Sequence, residues 1–124
     1  MYMNNKTFQR LMIRGRIATT VDFKYLANST AVANFGVVVN RGSKSDFIPV
    51  VAWGDKAKKI ADEGNKGDLI SFEGELRSDS YESPEHGKRF ELKVQVKNDT
   101  DKEYYILDIF PKLNSNPGVE NEQS

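Results

Sequence analysis

Asp46-Phe47-Ile48-Pro49-Val50-Val51-Ala52-Trp53-Gly54-Asp55-Lys56-Ala57-Lys58-Lys59-Ile60-Ala61-Asp62-Glu63 decides how the rest of the chain is read, because its hydrophobic period changes partway along. The first half alternates: Phe47, Pro49, Val51 and Trp53 fall on one side of a strand, and Ile48, Val50 and Ala52 on the other. Pro49 donates no ladder hydrogen bond, so this strand is expected at an edge or a bulge. In the second half Ala57, Ile60 and Ala61 recur at helical spacing, Asp55 stands at the start and Gly64 follows the end. One short helix over Asp55–Glu63 is expected.

Working outward, period two dominates on both sides. Upstream, Thr7–Ile17 places Gln9, Leu11, Ile13, Gly15 and Ile17 on a core face and Phe8, Arg10, Met12, Arg14 and Arg16 on the opposite, arginine-bearing face. Ala31–Asn40 follows the turn-like Ala27-Asn28-Ser29 and sets Ala31, Ala33, Phe35, Val37 and Val39 together as a second strand. Downstream, Asp68–Arg77 opposes Ile70, Phe72, Gly74 and Leu76 to Leu69, Ser71, Glu73 and Glu75. Lys88–Lys97 alternates most cleanly, with Phe90, Leu92, Val94 and Val96 inward and Arg89, Glu91, Lys93, Gln95 and Lys97 outward. The polar run Ser78–Gly87 reads as a long hairpin loop, Asn98–Lys102 as a turn, and Glu103–Phe110 as an added strand. Three strands, a short helix, two strands and an appended strand favour a small antiparallel barrel over a parallel α/β sheet. The expected fold is all-β: a five-stranded OB-fold barrel over residues 1–110, its helix between strands three and four, with a short disordered tail from residue 111 to 124.

Composition narrows the chemistry. A chain of 124 residues with 38% hydrophobic and 29% charged residues suits one domain able to bury a core unaided. The absence of cysteine removes disulfides, thiolate nucleophiles and cysteine-based metal sites, and the one histidine, His86, cannot make a histidine-rich site. The start lacks a basic segment followed by an apolar one, and no apolar run approaches a membrane span, so a cytoplasmic protein without membrane, metal or cofactor is expected. Eighteen basic residues balance eighteen acidic ones, but residues 1–98 carry 16 against 12, net +4, and residues 99–124 carry 2 against 6, net −4. A mildly basic body is compatible with a polyanion without demanding one.

Catalytic patterns are poor. His86 lies in the polar run Ser83–Gly87, where a solvated residue is the ordinary case. Glu73 and Glu75 share a strand face and are read as charges on its wet side rather than as a glycosidase pair. Asp99-Thr100-Asp101-Lys102-Glu103 begins like a calcium loop but has Tyr104 where glycine is needed and Phe110 where the bidentate glutamate belongs. What remains is aromatic residues interleaved with cations. Phe47 and Trp53 share a face, Tyr81 sits in a polar segment, and Arg10, Arg14, Arg16, Arg41, Lys44, Lys88, Arg89, Lys93 and Lys97 supply charge. Bases stack on aromatic faces while cations track phosphates, which is what a single-strand binder needs. On the residues alone, that reading stands level with Phe47 and Trp53 as core beneath an ordinary charged surface.

The chain resembles the bacterial and phage single-stranded DNA-binding protein family. The resemblance rests on Gly15-Arg16-Ile17, Thr30–Phe35 through Val39-Asn40-Arg41, Asp46–Gly54, the helix with Lys66-Gly67-Asp68, and Glu73-Gly74-Glu75-Leu76-Arg77 leading to Tyr81. It spans roughly residues 7–96. It implies an OB-fold that self-associates, usually as a homotetramer though a dimer is the alternative, and binds single-stranded DNA without catalysis in replication, recombination or repair. By motif position the base-stacking aromatics fall on Phe47, Trp53 and Tyr81. The rival is an OB-fold protein-interaction module, such as a primosome subunit, which gains if Phe47 and Trp53 both point into the core. Three departures stand out: a short loop Arg41–Ser45 without an aromatic, the insertion Asn98–Lys102, and a tail without a long linker or an acidic tip ending in an aromatic. Compactness and the missing tip suit a phage or mobile-element member acting in the host cytoplasm.

Overall fold

The computed structural model describes residues 7–97 and 106–112. Among them the chain forms β1 (Leu11–Ile17), β2 (Asp22–Tyr25), β3 (Ala31–Arg41), β4 (Lys44–Trp53), α1 (Gly54–Glu63), β5 (Leu69–Ser83), β6 (Gly87–Val96) and β7 (Leu107–Phe110). Hydrogen bonding runs β1–β3–β4–β6–β5 and closes back on β1, so five strands make a ring. This is the OB-fold barrel expected from the sequence, with one correction. A closed ring with an odd number of strands cannot alternate direction throughout, and the parallel pair is β4–β6, through Val50↔Val94 and Val51↔Gln95. β4 is not an edge strand, since it pairs with both β3 and β6. Pro49 is tolerated because it lies one residue before the β6 contact and because Gly36 opposite it turns its N–H and carbonyl to Thr19 and Ala18 instead of to β4.

Alternation places the core as read. Ile17, Ala33, Phe35, Val37, Val50, Ala52, Ile70, Phe72, Val94 and Val96 fill the barrel, and Ala57 and Ile60 of α1 close one end. The helix begins where β4 stops, with Trp53 as its N-cap residue and Asp55 complementing the helix dipole in the first turn. No helix among the described residues is long and apolar enough to cross a membrane.

Several expectations need correction. The run Ser78–Gly87 is not a loop: β5 continues to Ser83 and pairs residue for residue with β6, from Ser78↔Leu92 to Ser83↔Gly87. The strands form a two-stranded arm projecting roughly 20 Å past the barrel, taking about 3.3 Å per residue. Its turn, Pro84-Glu85-His86, ends on Gly87 at φ 75°, a left-handed backbone that glycine adopts without strain. Both arm faces are wet, so burial imposes no apolar pattern there. For the same reason Phe90 and Leu92, read as inward, are 69% and 55% exposed: the alternation of β6 outruns the core, and only Val94 and Val96 reach it. Glu73, read as lying on the wet side, is only 6% exposed and ion-paired with Arg10 at 3.2 Å. The loop Arg41–Ser45 is a tight hairpin in which Arg41 pairs with Lys44.

The short strand β2 went unread, although Val21, Phe23 and Tyr25 alternate with Asp22 and Lys24; it pairs with β3 from Asp22↔Asn34 to Tyr25↔Ala31. Of the added strand Glu103–Phe110, Leu107–Phe110 is present and pairs with β5. Asn98–Tyr105, Met1–Lys6 and the tail from Leu113 lie outside the described residues. Asp68, buried at the entry to β5, accepts hydrogen bonds from the backbone N–H groups of Asn65 (2.9 Å) and Lys112 (2.8 Å). It thereby ties the residues after β7 to the barrel.

Candidate nucleic-acid interface

The outward face of β4 is set by its register. Because Ile48, Val50 and Ala52 turn into the barrel, Phe47, Pro49, Val51 and Trp53 take the other side of β4, opposite Val38, Gly36, Asn34 and Val32 of β3. Val51 and Val32 are nonetheless buried, so the open part of this face is at Phe47. The ring of Phe47 is 58% exposed and lies on Gly36: a Cβ built on that glycine would stand 2.2 Å from Phe47 Cζ. Gly36 is itself held from the far side. Its N–H donates to Thr19 Oγ at 3.0 Å and its carbonyl accepts from the Ala18 N–H at 2.8 Å. A flat aromatic face is thus presented to solvent above a fixed backbone seat.

Alongside it runs a groove of about 340 Å³ whose walls include Asp22, Asn34, Gly36, Phe47, Glu91 and Lys93. The groove joins the barrel wall to the base of the arm. Further along β4, Trp53 is half-buried and stands outside the core cluster. It stands six positions on from Phe47, about 20 Å along the strand. Tyr81 is 53% exposed on the arm, on the outward-facing side with Arg77 and Lys93 and directly opposite Arg89.

The cations sort into three groups. Lys44, Lys88, Arg89 and Lys93 have no side-chain partner among the described residues. Lys93 and Arg89 share the outward side of the arm with Tyr81, Lys88 lies on its other side, and Lys44 is at the β3–β4 hairpin. Arg10, Arg41 and Lys97 are instead bound to carboxylates: Glu73 at 3.2 Å, Asp46 at 2.7 Å and Glu75 at 2.9 Å. The hydrogen bond and charge of Asp46 raise the pKa of Arg41 above its ordinary value. Arg14 and Arg16 stand on β1, which in the ring is separated from β4 by β3 and from β6 by β5. Arg14 lies 5.7 Å from the centre of the Phe110 ring, and Arg16 donates to the Gly67 carbonyl at 3.1 Å. The expected set is therefore not one patch. Phe47, Lys93, Arg89 and Tyr81 line one wall and arm, whereas Arg10, Arg14 and Arg16 occupy another wall. Sequence reading missed Asp22, Asn34 and Lys24, which the register of β2 brings to the same outward face as Phe47; the alternation from Val21 to Tyr25 was the available signal.

An OB barrel with an outward aromatic and cations along a groove defines a class built to hold extended polymers on its surface. Comparison with known proteins agrees: residues 8–101 match the model of the single-strand binding protein family, and the chain belongs to that family. It is 33% identical over 97 residues to single-stranded DNA-binding protein 2 of Clostridium acetobutylicum, a match covering 73% of this chain and 70% of the relative. Against the single-stranded DNA-binding protein of Clostridium tetani it is 33% identical over 92 residues, covering 68% and 63%. With single-stranded DNA-binding protein A of Bacillus subtilis it shares 30% over 96 residues, covering 72% of this chain and 56% of the relative.

Proposed function

We propose that this chain binds single-stranded DNA without catalysis and protects strands exposed in replication, recombination or repair. Bases stack on Phe47, Trp53 and Tyr81 while Lys93, Arg89 and Lys88 take phosphates. The observation that carries the reading is Phe47: a large aromatic, more than half exposed, seated on glycine beside Lys93, which has no ion-pair partner among the described residues. Leaving such a ring in water has a folding cost that stacking on a base offsets. The exposure of Phe47 counts against the protein-interaction module, which would gain if Phe47 and Trp53 both pointed into the core. Titrating oligo(dT), a matched RNA and a duplex against the fluorescence of Trp53, the single tryptophan, tests it. Quenching by oligo(dT) and not by duplex is expected; equal response to duplex, or none to oligo(dT), overturns the reading.

Self-association, as a tetramer in preference to a dimer, belongs to the same proposal. Among the described residues Leu11–Arg14 of β1 pair with β5 alone, and Met12 and Phe110 expose apolar surface on the neighbouring outer wall. Sedimentation at micromolar concentration showing only a 14.0 kDa species would rule it out.

A further inference from the structure

The geometry points to a base-reading subsite in the groove beside Phe47, one that favours guanine over thymine through the carboxylate of Asp22. The inference rests on the proposed single-strand binding and adds a preference at one position of an otherwise sequence-tolerant path. Asp22 and Asn34 are directly opposite in the β2–β3 register and both face outward, so their Cβ atoms are about 5 Å apart. Both line the groove with Phe47 and Gly36, and neither side chain has a hydrogen-bond partner among the described residues. A base stacked on Phe47 therefore meets, along the groove, a carboxylate and a primary amide with their hydrogen-bonding capacity unused.

The chemistry of that edge discriminates. An ionised carboxylate only accepts hydrogen bonds. Guanine offers two adjacent donors, N1–H and the N2 amino group, which match the two carboxylate oxygens. Thymine offers one donor, N3–H, flanked by the carbonyl acceptors O2 and O4, so one of these faces the second carboxylate oxygen. Adenine and cytosine each present an amino group next to an acceptor and fall between. Glu91 on the opposite wall has the same sense, and two carboxylates in one groove repel a phosphate, so the occupant is a base. Phosphates are taken by Lys93 on one side and by Lys24, two residues beyond Asp22 and outward like it, on the other.

The test uses the whole chain and three thymidine 15-mers: unmodified, with one central guanine, and with inosine at the same place. Inosine keeps the purine stacking area and lacks the N2 amino group, which separates stacking from hydrogen bonding. A bidentate pair is worth about 1–3 kcal/mol of discrimination, and because Asp22 is exposed the lower limit applies: guanine should bind roughly fivefold tighter than inosine or thymine. In Asp22→Asn the guanine and inosine oligomers should bind alike. Equal binding of guanine and inosine by the parent, or a guanine advantage that survives Asp22→Asn, overturns the subsite while leaving single-strand binding intact. Failure of the parent to bind any of the three overturns the binding reading itself.

Discussion

Gly36→Ala separates the seat of Phe47 from the fold more sharply than removal of the ring does. The added Cβ would stand 2.2 Å from Cζ and 2.4 Å from Cε1 of Phe47, where ordinary carbon contacts are about 3.5–4.0 Å, so the ring must retreat by roughly 1.5 Å. It has somewhere to go, because more than half of it already faces solvent. Swinging it out forfeits the two-fifths of its surface now covered, about 1 kcal/mol when full burial of such a side chain contributes roughly 1.5–3 kcal/mol. Alanine within a strand returns about 0.5–1 kcal/mol relative to glycine. The two nearly cancel, so the melting temperature should move by less than about 5 °C. Binding should not escape: a base stack is worth about 1–3 kcal/mol, and its loss weakens oligo(dT) affinity roughly five- to 150-fold. Thermal melting and a Trp53 quenching titration read the two effects separately. Because both substitutions disable the same stacking platform, Gly36→Ala combined with Phe47→Ala should bind no worse than Phe47→Ala alone. A folded Gly36→Ala that binds oligo(dT) like the parent would refute the reasoning.

Tyr81→Ala and Trp53→Ala should each weaken oligo(dT) binding at every salt concentration with little change in the log–log salt slope, and melting must show Trp53→Ala folded before its loss is attributed to binding. Replacing Arg89 or Lys93 by alanine should instead flatten that slope by about 0.7 for each phosphate no longer neutralised, whereas Arg41→Ala should flatten it less because Asp46 already holds that guanidinium. An Arg41 effect as large as that of Lys93 would show that the ion pair opens for DNA. Gly15→Ala should lower stability by about 2 kcal/mol or more, since its Cβ would meet the Val38 carbonyl oxygen at 2.5 Å and Val37 Cγ1 at 2.8 Å, neither of which can swing away; an unchanged melting curve would refute that.

The barrel was legible because its strands are buried on one side, and one-sided burial writes period two into the sequence. Leu11 to Ile17 and Ile70 to Phe72 are buried as their alternation says, and Ala31 to Val39 departs from it only where Val32 and Gly36 are covered on the outer side as well. The readings that failed share one physical origin: the backbone ladder continues where burial does not. Ser78–Ser83 pairs with β6 in water, so nothing in its side chains announces a strand. Phe90 and Leu92 keep the alternation of β6 past the last core layer, so the pattern promises a burial that the barrel is too short to provide. Glu73 errs in the other direction, because Arg10, far away in sequence, reaches across the β1–β5 pair to shield it.

The site was legible only in its membership. Alternation puts Phe47 and Trp53 on one face of β4 but cannot say which face is inside, since either set of β4 side chains could line a core; the decision comes from Val50 meeting Val94 across a parallel pair that no local pattern encodes. A count of cations fares worse, because a strand cannot reveal which arginines meet a carboxylate on its neighbour. Arg10, Arg41 and Lys97 carry the same charge in the sequence as Arg89 and Lys93, yet each stands within ion-pair distance of a carboxylate oxygen. The ring order then divides the remainder, setting Arg14 and Arg16 on a different wall from Phe47. What the sequence offers as one basic-aromatic set is, once folded, a stacking groove with the arm's cations at its edge and a second basic wall around the barrel from it. If a strand follows the groove and the arm, losses at Arg89 and Lys93 should be felt by short oligomers, and losses at Arg14 only by strands long enough to pass around the ring.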